Sequence, residues 1–125
     1  MRVVRLAWLG VRTAHSQAMA SFLEGTLGLT LDHSGEGEWV YSLPGGGKVE
    51  VFGTDSLDMT QFTTGPVVGF LVDDVRAATN DLRQHGTPIL GEPYFGDDGD
   101  GVAWVHFRAP DGNVYELTQG RDLEP

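Results

Sequence analysis

The sequence predicts an α+β domain of two tandem βαβββ modules that together form a cleft, and three observations carry that expectation. The chain says nearly the same thing twice, each half places a helical stretch after a β-rich one, and each half ends in a tryptophan-bearing hairpin. Trp39-Val40-Tyr41-Ser42-Leu43-Pro44-Gly45-Gly46 leads to Val49-Glu50-Val51, and Trp104-Val105-His106-Phe107-Arg108-Ala109-Pro110-Asp111-Gly112 leads to Tyr115-Glu116-Leu117. Pro44, Gly46 and Glu50 lie 66 positions before Pro110, Gly112 and Glu116, whereas the tryptophans are 65 apart, as if one residue slips between strand and turn. Matching hairpins of this kind point to an internal duplication.

The elements follow in order. Val3 to Val11 is rich in β-formers, and so is Val67 to Val72. Met19, Phe22, Leu23 and Leu27 then fall at helical spacing, with Gly28 as the stop, while Val75, Ala78 and Leu82 do the same in the second half, stopped by Gly86. Asp73 or Asp74 is placed to cap the second helix. A short strand and the tryptophan hairpin follow each helix. The reading is therefore one domain over residues 1–125, with module 1 at about 1–56, a linker around Asp55 to Gly65, and module 2 at about 65–120. An acidic, glycine-rich stretch from Gly91 to Gly101 has no counterpart in the first half and reads as a flap over the cleft. With a helix on one face only, each small sheet leaves a concave face to be covered, and a duplicated open sheet tends to make a small-molecule cleft where its halves meet.

Composition limits the function. A chain of 125 residues, 40% hydrophobic and 21% charged, can bury one core without staples. The absence of cysteine excludes disulfides, thiol catalysis and thiolate metal sites, and fits a cytoplasmic protein. No signal peptide or membrane-spanning run is evident. Eight basic against eighteen acidic residues give a net charge of −10, which disfavours nucleic acid as a partner and is compatible with a neutral or cationic ligand.

The two modules, the run Phe22-Leu23-Glu24-Gly25-Thr26-Leu27-Gly28-Leu29, the stretch Gly65-Pro66-Val67-Val68-Gly69-Phe70-Leu71-Val72-Asp73-Asp74 and the hairpin Ala109-Pro110-Asp111-Gly112-Asn113-Val114-Tyr115-Glu116-Leu117 resemble the vicinal-oxygen-chelate superfamily of glyoxalases, bleomycin-resistance proteins and extradiol dioxygenases. The resemblance covers essentially the whole chain to Gln119. It implies four metal-ligand positions, one on the first and one on the last strand of each module. Aligning Leu9-Gly10-Val11 puts the first at Leu6; Glu50 falls at the second, Val67 at the third and Glu116 at the fourth. Both metal-binding histidines of the glyoxalase I type are then absent, and aliphatic side chains cannot replace imidazole on zinc, nickel or iron. The expectation is no metal cofactor. The alternative is a weakly held divalent ion on Glu50 and Glu116.

Strand alternation suggests what lines the cleft. A three-residue turn at Pro110-Asp111-Gly112 sets His106 opposite Glu116, Arg108 opposite Val114 and Trp104 opposite Thr118 on one face. The first hairpin's turn length is ambiguous by one residue; a four-residue loop would put Tyr41 opposite Glu50 and Trp39 opposite Phe52. Trp8 and Gly10 share a face with Leu6. The candidate ligand-binding residues are therefore Trp8, Trp39, Tyr41, Glu50, Phe52, Trp104, His106, Arg108 and Glu116, with His106 and Glu116 as a candidate base and its orienting carboxylate. His15 and His33 read as surface residues, and His85 as a partner for a helix C-terminus. Gly96 to Gly101 lacks the ligand pattern of an EF-hand, and Gly45-Gly46-Gly47 is no phosphate loop.

Two functions remain open. One is a small-molecule-binding protein that sequesters an aromatic or cationic compound, as bleomycin-resistance proteins do in antibiotic resistance, with a homodimer implied by the same resemblance. The other is a glyoxalase-like lyase or isomerase, or a dioxygenase-related enzyme, using a remnant Glu50/Glu116 metal site or His106 as base.

Overall fold

The computed structural model describes residues 1–56, 59–63, 65–96 and 101–120. Its first half runs β1 (Val3–Thr13), α1 (Ser16–Ser21), a π-helical turn (Phe22–Thr26), β2 (Thr30–Gly35), β3 (Glu38–Ser42) and β4 (Lys48–Gly53). The second runs β5 (Val67–Val72), α2 (Val75–Gln84), β6 (Ile89–Phe95), β7 (Ala103–Arg108) and β8 (Val114–Gln119). Among the described residues, eight strands form one mixed sheet in the order β2-β3-β4-β1-β5-β8-β7-β6. The two halves meet within the chain, where β1 pairs antiparallel with β5. Within each half the first strand runs parallel to the last, β1 beside β4 and β5 beside β8.

Both helices cover the same face. Ala20 and Leu23 pack with Tyr41 and Val51 on one side, and Val75 and Ala78 pack with Val72, Val105 and Leu117 on the other. Asp74 is the cap of α2, its carboxylate accepting from the Ala77 amide at 3.1 Å. Gly28 (φ 71°) and Gly86 (φ 75°) lie just beyond the helical stretches in the left-handed region that a side chain disfavours.

The first helix departs from the expected register. The Leu27 amide bonds to the Phe22 carbonyl at 3.0 Å, an i→i+5 bond that widens the last turn. This rotates the apolar stripe, so Leu23 is buried while Phe22 and Leu27 stay exposed.

The hairpins also correct the sequence reading. Leu43 pairs with Gly47 around Pro44-Gly45-Gly46, and Ala109 pairs with Asn113 around Pro110-Asp111-Gly112, so both hairpins use the same three-residue turn. Val40, not Tyr41, therefore stands opposite Glu50, and Glu38, not Trp39, stands opposite Phe52. The second hairpin has the expected register, with His106 opposite Glu116. No residue slips: Trp39 corresponds to Val105, on the helix face, and Trp104 corresponds to Glu38, on the cleft face.

Of the stretch read as a flap, residues 91–95 belong to β6, paired through Tyr94 and Phe95 with Trp104 and Ala103. Residues 97–100 lie outside the described residues. Among the described residues no helix is long and apolar enough to cross a membrane.

Candidate functional site

The concave face carries two zones laid end to end along the strands. One is a cavity of 410 Å³ walled by Trp8, Glu50, Phe52, Trp104, Glu116 and Thr118. The other is filled: Phe52, Phe62, Val67 and Val114 are buried together, with Trp8, Met59 and Leu90 packed against them. Trp8, Phe52 and Met59 form part of both, so they stand at the boundary.

Alternation on β4 places Lys48, Glu50 and Phe52 on this face, and alternation on β8 places Val114, Glu116 and Thr118 there. The pairings of first with last strand are equivalent in the two modules: Gly10 lies beside Glu50, and Gly69 lies beside Glu116. Both glycines make room for one side chain. A Cβ on Gly10 would collide with the Trp8 indole, and one on Gly69 would lie 3.1 Å from Trp8 Cβ and 3.1 Å from Glu116 Oε2. Trp8 thus lies across the centre of the cleft.

This equivalence revises one expected position. Val67 stands two residues before Gly69, and the residue two before Gly10 is Trp8, not Leu6. A bulge in β1 between Leu6 and Trp8 shifts the register, and Leu6 is 63% exposed. The apolar run by itself points to Leu6 because it carries no signal for a bulge.

Each of the two cleft carboxylates has a donor, but from a different place. The Trp8 indole Nε1–H donates to Glu50 Oε1 at 3.0 Å. Glu116 Oε1 lies 2.8 Å from His106 Nε2. The amide nitrogen of Gln61 lies 3.2 Å from His106 Nδ1, which makes Nδ1 an acceptor and leaves the ring proton on Nε2, aimed at Glu116. Burial pushes the Glu50 carboxyl up to about 7, against the Trp8 hydrogen bond and with help from nearby Glu38 and Glu116. Burial likewise raises Glu116, against the hydrogen bond of His106.

Of the residues singled out from sequence, Trp8, Glu50, Phe52, Trp104 and Glu116 come together at the cavity. His106 stands behind Glu116, 5% exposed, with both ring nitrogens engaged and its ring edge-on to Phe62 at 5.0 Å. Arg108 turns back to the hairpin and donates to the Gly112 carbonyl at 2.7 Å. Tyr41 and Trp39 belong to the helix face. Tyr41 is 0% exposed, its hydroxyl donates to Glu24 Oε1 at 2.9 Å, and burial with that carboxylate raises it to about 12. Sequence reasoning missed Glu38, Val40 and Lys48, which also line the cavity. Lys48 Nζ is tied to Asp32 at 2.8 Å and Ser42 at 3.1 Å. The correct hairpin register would have found the first two. Phe62, in the linker, had no periodic signal at all. Tyr94 stacks on Trp104 with centroids 4.0 Å apart and planes at 11°, which stiffens that wall. Among the described residues no group of three His, Asp or Glu side chains could hold a metal ion.

The fold and site define a class: a duplicated βαβββ protein with an aromatic and acidic cleft between its modules. The family model for the Glyoxalase/Bleomycin resistance protein/Dioxygenase superfamily matches residues 5–117, and the chain belongs to that superfamily. No curated protein matches the sequence. Among solved structures, it is similar to methylmalonyl-CoA epimerase from Mycobacterium tuberculosis (TM-score 0.71, 20% identity, 95% of this chain and 89% of that one). It is also similar to a variant Streptomyces coelicolor methylmalonyl-CoA epimerase in complex with 2-nitronate-propionyl-CoA (TM-score 0.70, 20% identity, 99% of each chain). A third is a glyoxalase/bleomycin resistance protein/dioxygenase superfamily member from Vibrio splendidus 12B01 (TM-score 0.69, 14% identity, 92% and 97%). At these identities the likeness establishes the fold.

Proposed function

We propose that this protein binds an aromatic or cationic small molecule in the 410 Å³ cavity without the help of a divalent metal. The observation that carries the reading is the Trp8–Glu50 hydrogen bond, because it places an indole where a first-strand ligand would stand and occupies one oxygen of the carboxylate opposite. The donor set does not fit a catalytic divalent ion. Val67 has no lone pair and is fully buried among apolar side chains. Glu116 is bonded to His106, and two carboxylates fall short of the roughly three protein ligands that such sites use.

What the cavity offers instead is flat apolar wall and hydrogen-bond acceptors. Trp8, Phe52 and Trp104 present ring surface, while Glu38 and the second oxygen of Glu50 can accept from ligand N–H or O–H groups. The net charge of −10 favours a cation over an anion. Sequestration in the manner of bleomycin-resistance proteins, by a cytoplasmic homodimer, completes the reading, and sedimentation tests the dimer. The direct test is titration of the metal-free protein with planar amines, followed by calorimetry. Saturable binding unchanged by a chelator supports the reading; binding only after a divalent ion is added overturns it.

One observation favours a second reading. A carboxyl near 7 in a mostly apolar cavity is poised for general acid–base work, so Glu50 could move a proton of the bound molecule without a metal. Exchange of a carbon-bound ligand proton with deuterated solvent, lost in Glu50→Gln, separates catalysis from sequestration.

A further inference from the structure

We propose that Phe62, carried by the linker between β4 and β5, is the residue that sets how long a ligand the cleft accepts. The inference rests on the binding reading above and adds to it the identity of the wall that ends the site.

Phe62 turns inward, is 3% exposed, and places its ring 5.9 Å from that of Trp8, 6.0 Å from Phe52 and 5.0 Å from His106. Around it lie Val67 and Val114 from the cleft-facing side of β5 and β8. These are positions on the same concave face as the open cavity, one step further along each strand: Val114 precedes Glu116 on β8, and His106 follows Trp104 on β7. The cleft is therefore one trough, and a side chain of the linker fills one end of it.

The plug is held from both modules. Arg12 of β1 donates to the Thr54 carbonyl at 2.7 Å and reaches the Ser56 carbonyl at 3.5 Å, which pins the start of the linker. Gln61 meets His106 of β7 at 3.2 Å. Between them the turn closes through a 3.0 Å bond from the Phe62 amide to the Met59 carbonyl. Met59 itself has φ 58°, a left-handed conformation that costs a residue with a side chain and persists where surrounding contacts impose it. A ligand entering beside Trp104 and Thr118 thus meets Glu50 and Glu116 and stops at the partition made by Trp8, Phe52 and Met59, against which Phe62 packs from behind. It does not reach His106, whose part is to position Glu116.

The experiment compares two uncharged probes, 2-naphthol and 6-phenyl-2-naphthol, which share a head group and differ by one phenyl ring, the group that Phe62 itself contributes. Calorimetry on the full chain gives both affinities for the wild type, Phe62→Ala and Phe62→Leu, with cooperative thermal melting confirming that each variant is folded. The wild type is expected to prefer 2-naphthol, and Phe62→Ala to shift the ratio toward the longer probe by about tenfold or more. Phe62→Leu should shift it partway, and it supplies the answer if the alanine variant does not fold. A ratio unchanged within about twofold in the folded variants overturns the role of Phe62 while leaving the binding reading in place. Failure of every form to bind either probe counts against the binding reading and removes this inference with it.

Discussion

Trp8 and Val67 hold equivalent positions in the two modules, yet only Trp8 faces its module's carboxylate with a donor, its indole nitrogen lying 3.0 Å from Glu50 Oε1. In the second module the donor comes instead from His106 on β7, whose counterpart in the first module is the apolar Val40. The duplicated fold thus satisfies its two cleft glutamates, Glu50 half-buried and Glu116 buried, by two different routes, one through the first strand and one through the hairpin. Leaving the His106 donor out would strand the buried Glu116 carboxylate, at a cost of about 1–3 kcal/mol or more.

Glu50 makes stability pH-dependent. Its carboxyl is raised from an ordinary value of 4.5 to about 7, so the folded state holds this proton more tightly than the unfolded chain. The contribution is fully present below about pH 4.5 and is lost as pH rises through about 7, a change on the order of 2–3 kcal/mol. Glu50→Gln keeps an acceptor for Trp8 and removes the charge. Its melting temperature should exceed that of the wild type by more at pH 8 than at pH 5; an equal difference at both would refute the assignment.

Trp8→Phe should push the same carboxyl higher, because the indole hydrogen bond is the largest influence holding it down. Carbon-detected NMR titration of the Glu50 side chain reads this directly. A value at or below that of the wild type would show that the bond contributes nothing.

Gly10→Ala tests the seat of the indole. A methyl group there would meet the Trp8 ring, and expelling that ring should cost about 1–3 kcal/mol. Thermal melting measures the loss. Tryptophan emission should shift to the red as the ring gains water, with Trp39 and Trp104 unmoved.

The equivalence of Trp8 with Val67 is testable by building a metal site. Trp8→His with Val67→His places two imidazoles beside Glu50 and Glu116, a four-ligand set that nickel or zinc favours. Adding Phe62→Ala clears the space above Val67. This variant should gain a divalent-ion-dependent rise in melting temperature, while Leu6→His with Val67→His should not, since Leu6 lies in the wrong register.

Tyr41→Phe separates the two faces of the sheet. Losing the hydroxyl that bonds Glu24 should cost about 1 kcal/mol of stability and leave ligand affinity unchanged. A fall in affinity would return Tyr41 to the cleft.

Much was legible in the sequence because repetition and period are local properties. The 66-residue offset of Pro44, Gly46 and Glu50 from Pro110, Gly112 and Glu116 announces two modules. The turn Pro110-Asp111-Gly112 specifies its own register, so His106 and Glu116 could be paired on paper. Gly28 and Gly86 mark both helix ends. Each of these signals is written within a few residues of the feature it determines.

What lay beyond it depended on contacts between distant segments. A three-glycine turn does not announce its length, and one residue of slip moves Tyr41 and Trp39 to the opposite face, because side chains alternate with period two. A bulge in β1 moves the equivalence from Leu6 to Trp8, and nothing in that apolar run marks it. Phe62 lies in a segment without periodicity, and only the meeting of β1, β4, β5 and β8 creates the apolar trough that draws it in. Sequence alone determined the two modules and the pair of glutamates; tertiary packing decided which donor each glutamate has and how much of the cleft stays open.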